Sequence, residues 1–170
     1  PERLQFWLSK NDFWKRVGKY GTSVKVIGSL DLDIPALTGA SYRVEQRLWD
    51  ATTTGSFTRG EMVVTMRTWV AATANVLVVE LSASGGEAEV QVRPTPAMEQ
   101  DADSQNGVAG QVHWFVKKYV RGVTVPTEAA CAARIVGSDS LGARVSPGAP
   151  VTLVCAIQSL CKNERYLDEA

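Results

Sequence analysis

Two aspartates, Asp31 and Asp33, alternate along an extended run, which puts both on one face of a strand roughly 7 Å apart by strand rise. Carboxyl pairs at such separations cleave glycosides when a cleft holds them, one protonating the leaving oxygen while the other attacks or activates water. A solvated sheet face requires the same alternation of polar residues, and that is the reading adopted for this pair. A second acidic run, Asp101-Ala102-Asp103-Ser104-Gln105-Asn106-Gly107, looks like a calcium loop, which needs a glycine at its sixth position and an acidic ligand at its twelfth. Counted from Asp101, Gly107 is seventh and the twelfth residue is Val112, so a solvated loop is expected there and no metal.

The single histidine, His113, lies in Gln111-Val112-His113-Trp114-Phe115-Val116 and reads as an ordinary strand residue. One histidine assembles no Ser/His/Asp set, and no Gly-rich phosphate loop leads from a strand into a helix. The expectation is therefore a chain with no catalytic residue and no cofactor of its own. Cys131, Cys155 and Cys161 stand without a CxxC spacing or a Cys/His cluster, which excludes a structural zinc site. They read as three buried or free thiols, with a Cys155–Cys161 disulfide as the alternative for an exported protein.

Five tryptophans, Trp7, Trp14, Trp49, Trp69 and Trp114, are many for this length. Exposed indoles stack on sugar rings, whereas sandwich cores also consume such residues, and four of the five fall inside expected strands. Packing in a core or between domains is the preferred reading. Trp14 differs, because Lys10-Asn11-Asp12-Phe13-Trp14 brings a polar cluster and two aromatics out of the first strand together. Either these rings fold back to plug the domain's own core, or they face a partner domain.

The elements that would position these residues are almost all strands. Period-two alternation and β-branched residues recur about every ten positions, and helical templates fit poorly. Strands are expected over residues 4–9, 24–34 and 42–50, with Val24, Val26, Gly28, Leu30, Leu32 and Ile34 on one face of the second. Hairpins are expected from 51–58 with 61–70, and from 75–83 with 86–93 around Ser84-Gly85-Gly86. Residues 94–110, rich in turn formers, read as a long loop. Four more strands follow at 111–120, 128–136, 140–145 and 151–159. Without amphipathic helices to cover them, such strands imply an all-β antiparallel sandwich of about ten strands with little helix.

One domain spanning residues 1–161, with 162–170 as a polar tail or the start of a linker, suits a chain of 170 residues. At 45% apolar and 21% charged it is expected to fold rather than stay disordered. Eighteen basic residues balance 18 acidic ones, which argues against nucleic acid held by bulk charge. No run approaches the ~20 apolar residues of a helical membrane span. A chain that starts at Pro1 without a leader is expected to be a mature or excised segment.

The run Leu4-Gln5-Phe6-Trp7-Leu8-Ser9-Lys10-Asn11-Asp12-Phe13-Trp14, the strand Ile27-Gly28-Ser29-Leu30-Asp31-Leu32, then Tyr42 to Ala51, Val64 to Ala71 and Leu77 to Leu81 carry a resemblance. They resemble the N-terminal β-super-sandwich region of glycoside hydrolase family 95-like proteins, the group of inverting 1,2-α-L-fucosidases. The likeness covers residues 4–93, more loosely 120–160, and its distinctive part is Lys-Asn-Asp-Phe-Trp. In that family a helical linker and a catalytic (α/α) barrel follow the sandwich. The resemblance therefore implies a non-catalytic domain that braces the catalytic domain of its parent protein, in an extracellular or periplasmic setting. It further implies that Lys10, Asn11, Asp12 and Trp14 lean toward substrate or the barrel. No family catalytic residue has a counterpart here. The alternatives are an independent carbohydrate-binding module that grips a glycan, or a standalone interaction domain.

Overall fold

The computed structural model describes residues 2–17, 21–123 and 126–161; the expected tail at 162–170 lies outside them. Among the described residues there are twelve strands, one 3-10 turn (Pro35–Leu37) and no α-helix. The strands are β1 Arg3–Val17, β2 Gly21–Asp33, β3 Ser41–Arg47, β4 Thr52–Arg59, β5 Met62–Val70 and β6 Val76–Ser84. They continue as β7 Ala88–Pro96, β8 Ala102–Ala109, β9 Val112–Tyr119, β10 Thr127–Ile135, β11 Gly142–Val145 and β12 Val151–Cys161. All pairs are antiparallel, in a four-stranded sheet ordered β1-β2-β7-β11 and an eight-stranded sheet ordered β3-β4-β5-β6-β12-β10-β9-β8. The chain is thus an all-β sandwich, with somewhat more strands than expected.

Alternation explains how the sheets meet. In β5, Val64, Met66 and Thr68 are buried while Thr65 and Arg67 are exposed, and β7 buries Ala88, Val90 and Val92 in the same rhythm. Leu30, Leu32, Phe57, Val64, Val79, Phe115 and Phe13 form the core between the sheets. Each full burial of such a side chain contributes about 1.5–3 kcal/mol. A Cβ on Gly28 would lie 2.5 Å from the Phe115 ring and 2.3 Å from the Thr95 carbonyl, so the two layers approach here only because the residue has no side chain.

Several expectations need correction. Alternation in β2 breaks where Leu8 faces Gly28 but Ser9 faces Val26, leaving Ile27 as an extra residue. Ile27 and Gly28 are both buried, so the inward face changes parity there, and Val24 and Val26 are exposed rather than sharing a face with Leu30. Strands β6 and β7 are not a hairpin: β6 lies between β5 and β12, whereas β7 joins β2 and β11 in the other sheet. Gly85, at φ +67° and with a Cβ position only 1.9 Å from the Glu61 carbonyl oxygen, makes the corner that carries the chain across. The long loop at 94–110 is also overturned, because β7 runs to Pro96 and residues 102–109 form β8. Its polar residues 103–106 are all exposed on an edge strand, where composition says little and pairing with β9 supplies the order.

The third expected strand ends at Arg47, and Trp49 stands in the turn that follows. None of the five tryptophans belongs to the core: Trp7, Trp14 and Trp49 are exposed, and Trp69 and Trp114 are half-buried. Asp31 is buried rather than solvated. A Cys155–Cys161 disulfide is excluded, since both lie on the continuous strand β12, about 20 Å apart by strand rise. Cys155 instead meets Cys131, with sulfurs 3.2 Å apart and both thiols free and buried.

Candidate functional site

Residues 10–14 do not form a loop between elements. They form a bulge inside β1, where Ser9 pairs with Val26 and Trp14 with Val24, so four residues stand opposite Lys25 alone. Asn11 and Asp12 are poor strand formers, and the excursion is fixed by polar ties rather than by the ladder. The Lys10 ammonium donates to the Asp12 carboxylate and, at 2.9 Å, to the Ser159 hydroxyl of β12, which itself donates to Asp12 at 2.6 Å. Partial burial alone would raise the Asp12 carboxyl, but the hydrogen bonds from Lys10 and Ser159 outweigh it and hold the group below its ordinary range. The Trp14 indole N–H donates to the Asn11 carbonyl, closing the bulge, and Thr127 donates to the Trp14 carbonyl at 2.7 Å.

The two aromatics part company. Phe13 is fully buried, its ring 5.5 Å from that of Tyr119. Trp14 keeps 39% of its surface. Of the four expected site residues, Lys10 and Asp12 are brought together, Asn11 closes onto Trp14, and Trp14 presents part of its ring outward.

Beneath this bulge is a cluster that sequence reasoning missed. Lys117 is wholly buried and donates at 2.9 Å both to the Val26 carbonyl and to a Glu99 carboxylate oxygen, with its ammonium 5.1 Å from the Tyr119 ring. Desolvation pushes the Glu99 carboxyl up, but Lys117 and neighbouring groups prevail and hold it low. Burial, with the Glu99 charge beside it, lifts the Tyr119 phenol above its ordinary range. The signal was available in the parity of β9: Lys117 falls in step with Phe115 and Tyr119, and therefore inward. Its amine is shielded from solvent and committed to two acceptors, which suits a tie between the sheets rather than chemistry.

The aspartate pair lies on the outer face of the smaller sheet. Asp33 accepts from Arg3 at 2.6 Å and from Arg93, and these guanidinium groups hold its carboxyl low. Asp31 accepts from Gln5 at 2.9 Å. A general acid needs a carboxyl held high, and Asp33 is held the other way. His113 pairs with Ala133 in β9, as an ordinary strand residue.

Two features mark the outer face of the larger sheet. Its central strands carry an apolar patch on this side too: cross-strand rows run Val78 to Val154, and Val76 through Ala156 and Ala132 to Trp114, bordered on the same face by Arg134 next to Val154, by Gln158 and by the Glu80–Thr152 pair. Beside them is an open groove of about 620 Å³, lined by Thr54, Ser56, Thr65, Arg67, Glu80 and Ser82 among others. Across its floor Thr65 and Ser82 share a hydrogen bond of 2.5 Å, Arg67 approaches Glu80 at 3.8 Å, and the Arg67 guanidinium sits 4.7 Å from the Trp69 ring. Among the described residues, no three or more His, Cys, Asp or Glu side chains are grouped to hold a metal ion. No protein-family model matches this chain, and no curated protein matches it.

Proposed function

We propose that this chain is a non-catalytic β-sandwich domain of a glycoside-hydrolase-like protein, and that it braces a catalytic (α/α) barrel. The observation that carries the reading is the apolar patch of Val76, Val78, Val154, Ala156, Ala132 and Trp114 on the outer face of β6, β12, β10 and β9. A two-layer sandwich needs one apolar face per sheet, and strands apolar on both sides belong to sheets covered on both sides. A partner domain supplies that third layer. The sequence resemblance names the partner as a barrel and the setting as extracellular or periplasmic. At the rim, Asn11, Asp12 and Trp14 keep exposed surface that would meet the barrel or its substrate, with Lys10 holding Asp12 in place.

Cysteines introduced by Ala132→Cys and Ala156→Cys, each read above the background labelling of the native Cys131, Cys155 and Cys161, report on this cover. They should label rapidly with a maleimide in the 170-residue chain and at least tenfold more slowly in the product of the full reading frame. Equal rates in the two proteins would refute the brace. The 170-residue chain should show no turnover of aryl glycosides, aryl α-L-fucosides included; hydrolysis abolished by Asp31→Asn or Asp33→Asn would refute the non-catalytic assignment.

The groove over β4, β5 and β6 favours a second reading, that of a carbohydrate-binding module. Its hydroxyls, its Arg67 and Glu80 side chains and the neighbouring Trp69 are the groups that hydrogen-bond and stack on a glycan. Retardation in gels containing xylan, galactomannan or arabinogalactan, lost on Arg67→Ala, would favour this reading over the brace.

A further inference from the structure

The eight-stranded sheet has two edges, β3 and β8. Edge strands invite pairing with another chain, and proteins discourage it with proline, lysine, bulges or very short strands. β3 has no proline, lysine or bulge and is seven residues long, and the charges it does carry, Arg43, Glu45 and Arg47, alternate in sign. Its seven residues pair one-to-one with β4 without a register break, and every one of them is exposed. The backbone on its far side faces no other strand of the sheet. Tyr42 and Val44, 66% and 50% exposed, lie on the inner side in register with Phe57 and Gly55, beyond the cover of the smaller sheet. Arg43, Glu45 and Arg47 alternate on the other side.

We propose that β3 pairs antiparallel with β3 of a second copy of this chain, about a two-fold axis at Val44, so that two eight-stranded sheets become one. The register follows from the sequence. Residues directly opposite in antiparallel strands share a face, so a two-fold axis perpendicular to the sheet must pass through a residue and not between two. An axis at Arg43 sets that arginine against itself. At Glu45 the glutamates oppose each other and Arg43 opposes Arg47. An axis at Gln46 sets Glu45 against Arg47 but overlaps only residues 45–47 of the strand, whereas the axis at Val44 pairs all seven and sets Arg43 of each copy against Glu45 of the other, twice by symmetry, with Tyr42 opposite Gln46 and the two Val44 side chains together. Like charges directly opposite destabilise a pair and opposite charges stabilise it, so the strand is complementary to itself in this register. Arg43 and Glu45 now approach at 3.5 Å within one strand, with 85% and 56% of their side-chain surface exposed, and are free to re-pair across the axis. The same register brings the turn carrying Leu48 and Trp49, 84% and 101% exposed, alongside residues 39–40 of the other copy, which gives these side chains a surface to meet.

Sedimentation velocity over a hundredfold range of concentration tests this. The wild-type chain should pass from monomer to dimer, and Arg43→Glu or Glu45→Arg alone should weaken the dimer at least tenfold, since each turns both cross-strand pairs repulsive. The double variant R43E/E45R restores opposite charges with their order reversed and should return the dimer to within threefold of wild type. These positions are exposed, so circular dichroism spectra and melting temperatures should stay at wild-type values. A wild-type chain monomeric throughout, a dimer indifferent to Arg43→Glu, or a double variant no better than the single ones would each overturn the proposal.

Discussion

Two lysine–carboxylate clusters flank the irregular stretch where β1 and β2 bulge, and they differ in one respect. Lys10 and Asp12 retain 17% and 52% of their side-chain surface, whereas Lys117 retains none and its partner Glu99 retains 31%. Both lysines use an ammonium to hold a carboxylate and a second oxygen. In the outer cluster, water replaces whatever a substitution removes, and such pairs contribute about 0–1 kcal/mol. In the inner one, loss of the lysine removes a fully buried ammonium that the Val26 carbonyl and a Glu99 carboxylate oxygen share, and water reaches the space it leaves less readily. The same chemistry makes a surface latch in one place and a structural tie in the other, and only burial distinguishes them. Phe13 and Trp14 repeat the lesson as neighbours in sequence, one in the core and one at the rim.

The contrast can be broken or sharpened by substitution. Phe13→Ala should have the largest effect, about 3–5 kcal/mol of stability in denaturant titration, because it removes a ring from a filled core. Lys117→Ala should follow at about 3 kcal/mol, the low end for a broken buried pair, since Glu99 keeps some contact with solvent. A Lys117→Ala loss no larger than that of Lys10→Ala would abolish the distinction between the clusters. Acid should act through the inner cluster next. The folded Glu99 carboxyl titrates below its unfolded value, so its contribution is complete above the unfolded carboxylate range, about pH 4.3, and is lost as pH falls through the folded value. Melting temperature measured against pH should therefore fall less steeply below that range in Glu99→Gln than in wild type. Trp14→Ala should cost no more than about 1 kcal/mol, because the ring is already partly in water and a core-plug role would demand several times that. Asp12→Asn should be smallest, well within about 1 kcal/mol in the same denaturant titration, because its carboxylate is half in solvent.

Much of the fold was legible because strands with one covered face alternate, and β5 and β7 do so cleanly. What could not be read lies where alternation carries no information about partners. The β6 and β7 patterns are those of a hairpin, yet the corner at Gly85 sends β7 to the other sheet, a choice made by distant strands. Residues 102–109 have the composition of a loop and are ordered by β9 alone. At the candidate site, the polar and aromatic character of residues 10–14 was visible, and the separation of Phe13 from Trp14 was not. It depends on a bulge whose depth is set across the strand pair. Lys117 was legible in principle from its phase with Phe115 and Tyr119, but a lysine discourages an inward reading unless its acceptors are known.

The position of β12 has a consequence for how the molecule is made. The larger sheet consists of two meanders, β3 to β6 and β8 to β10, and the only strand joining them is β12, which lies between β6 and β10. During synthesis both meanders emerge from the ribosome before it does, each with an open edge and no partner. The link they wait for pairs Val76 with Ala156 and Ala133 with Cys155, contacts that no earlier segment replaces. Folding therefore cannot proceed strictly from the first strand to the last, and the nascent chain carries two adhesive edges until its closing strand is available. A translational pause just before Val151 would prolong that exposure, while a β12 peptide supplied in trans has a ready-made slot between the two halves.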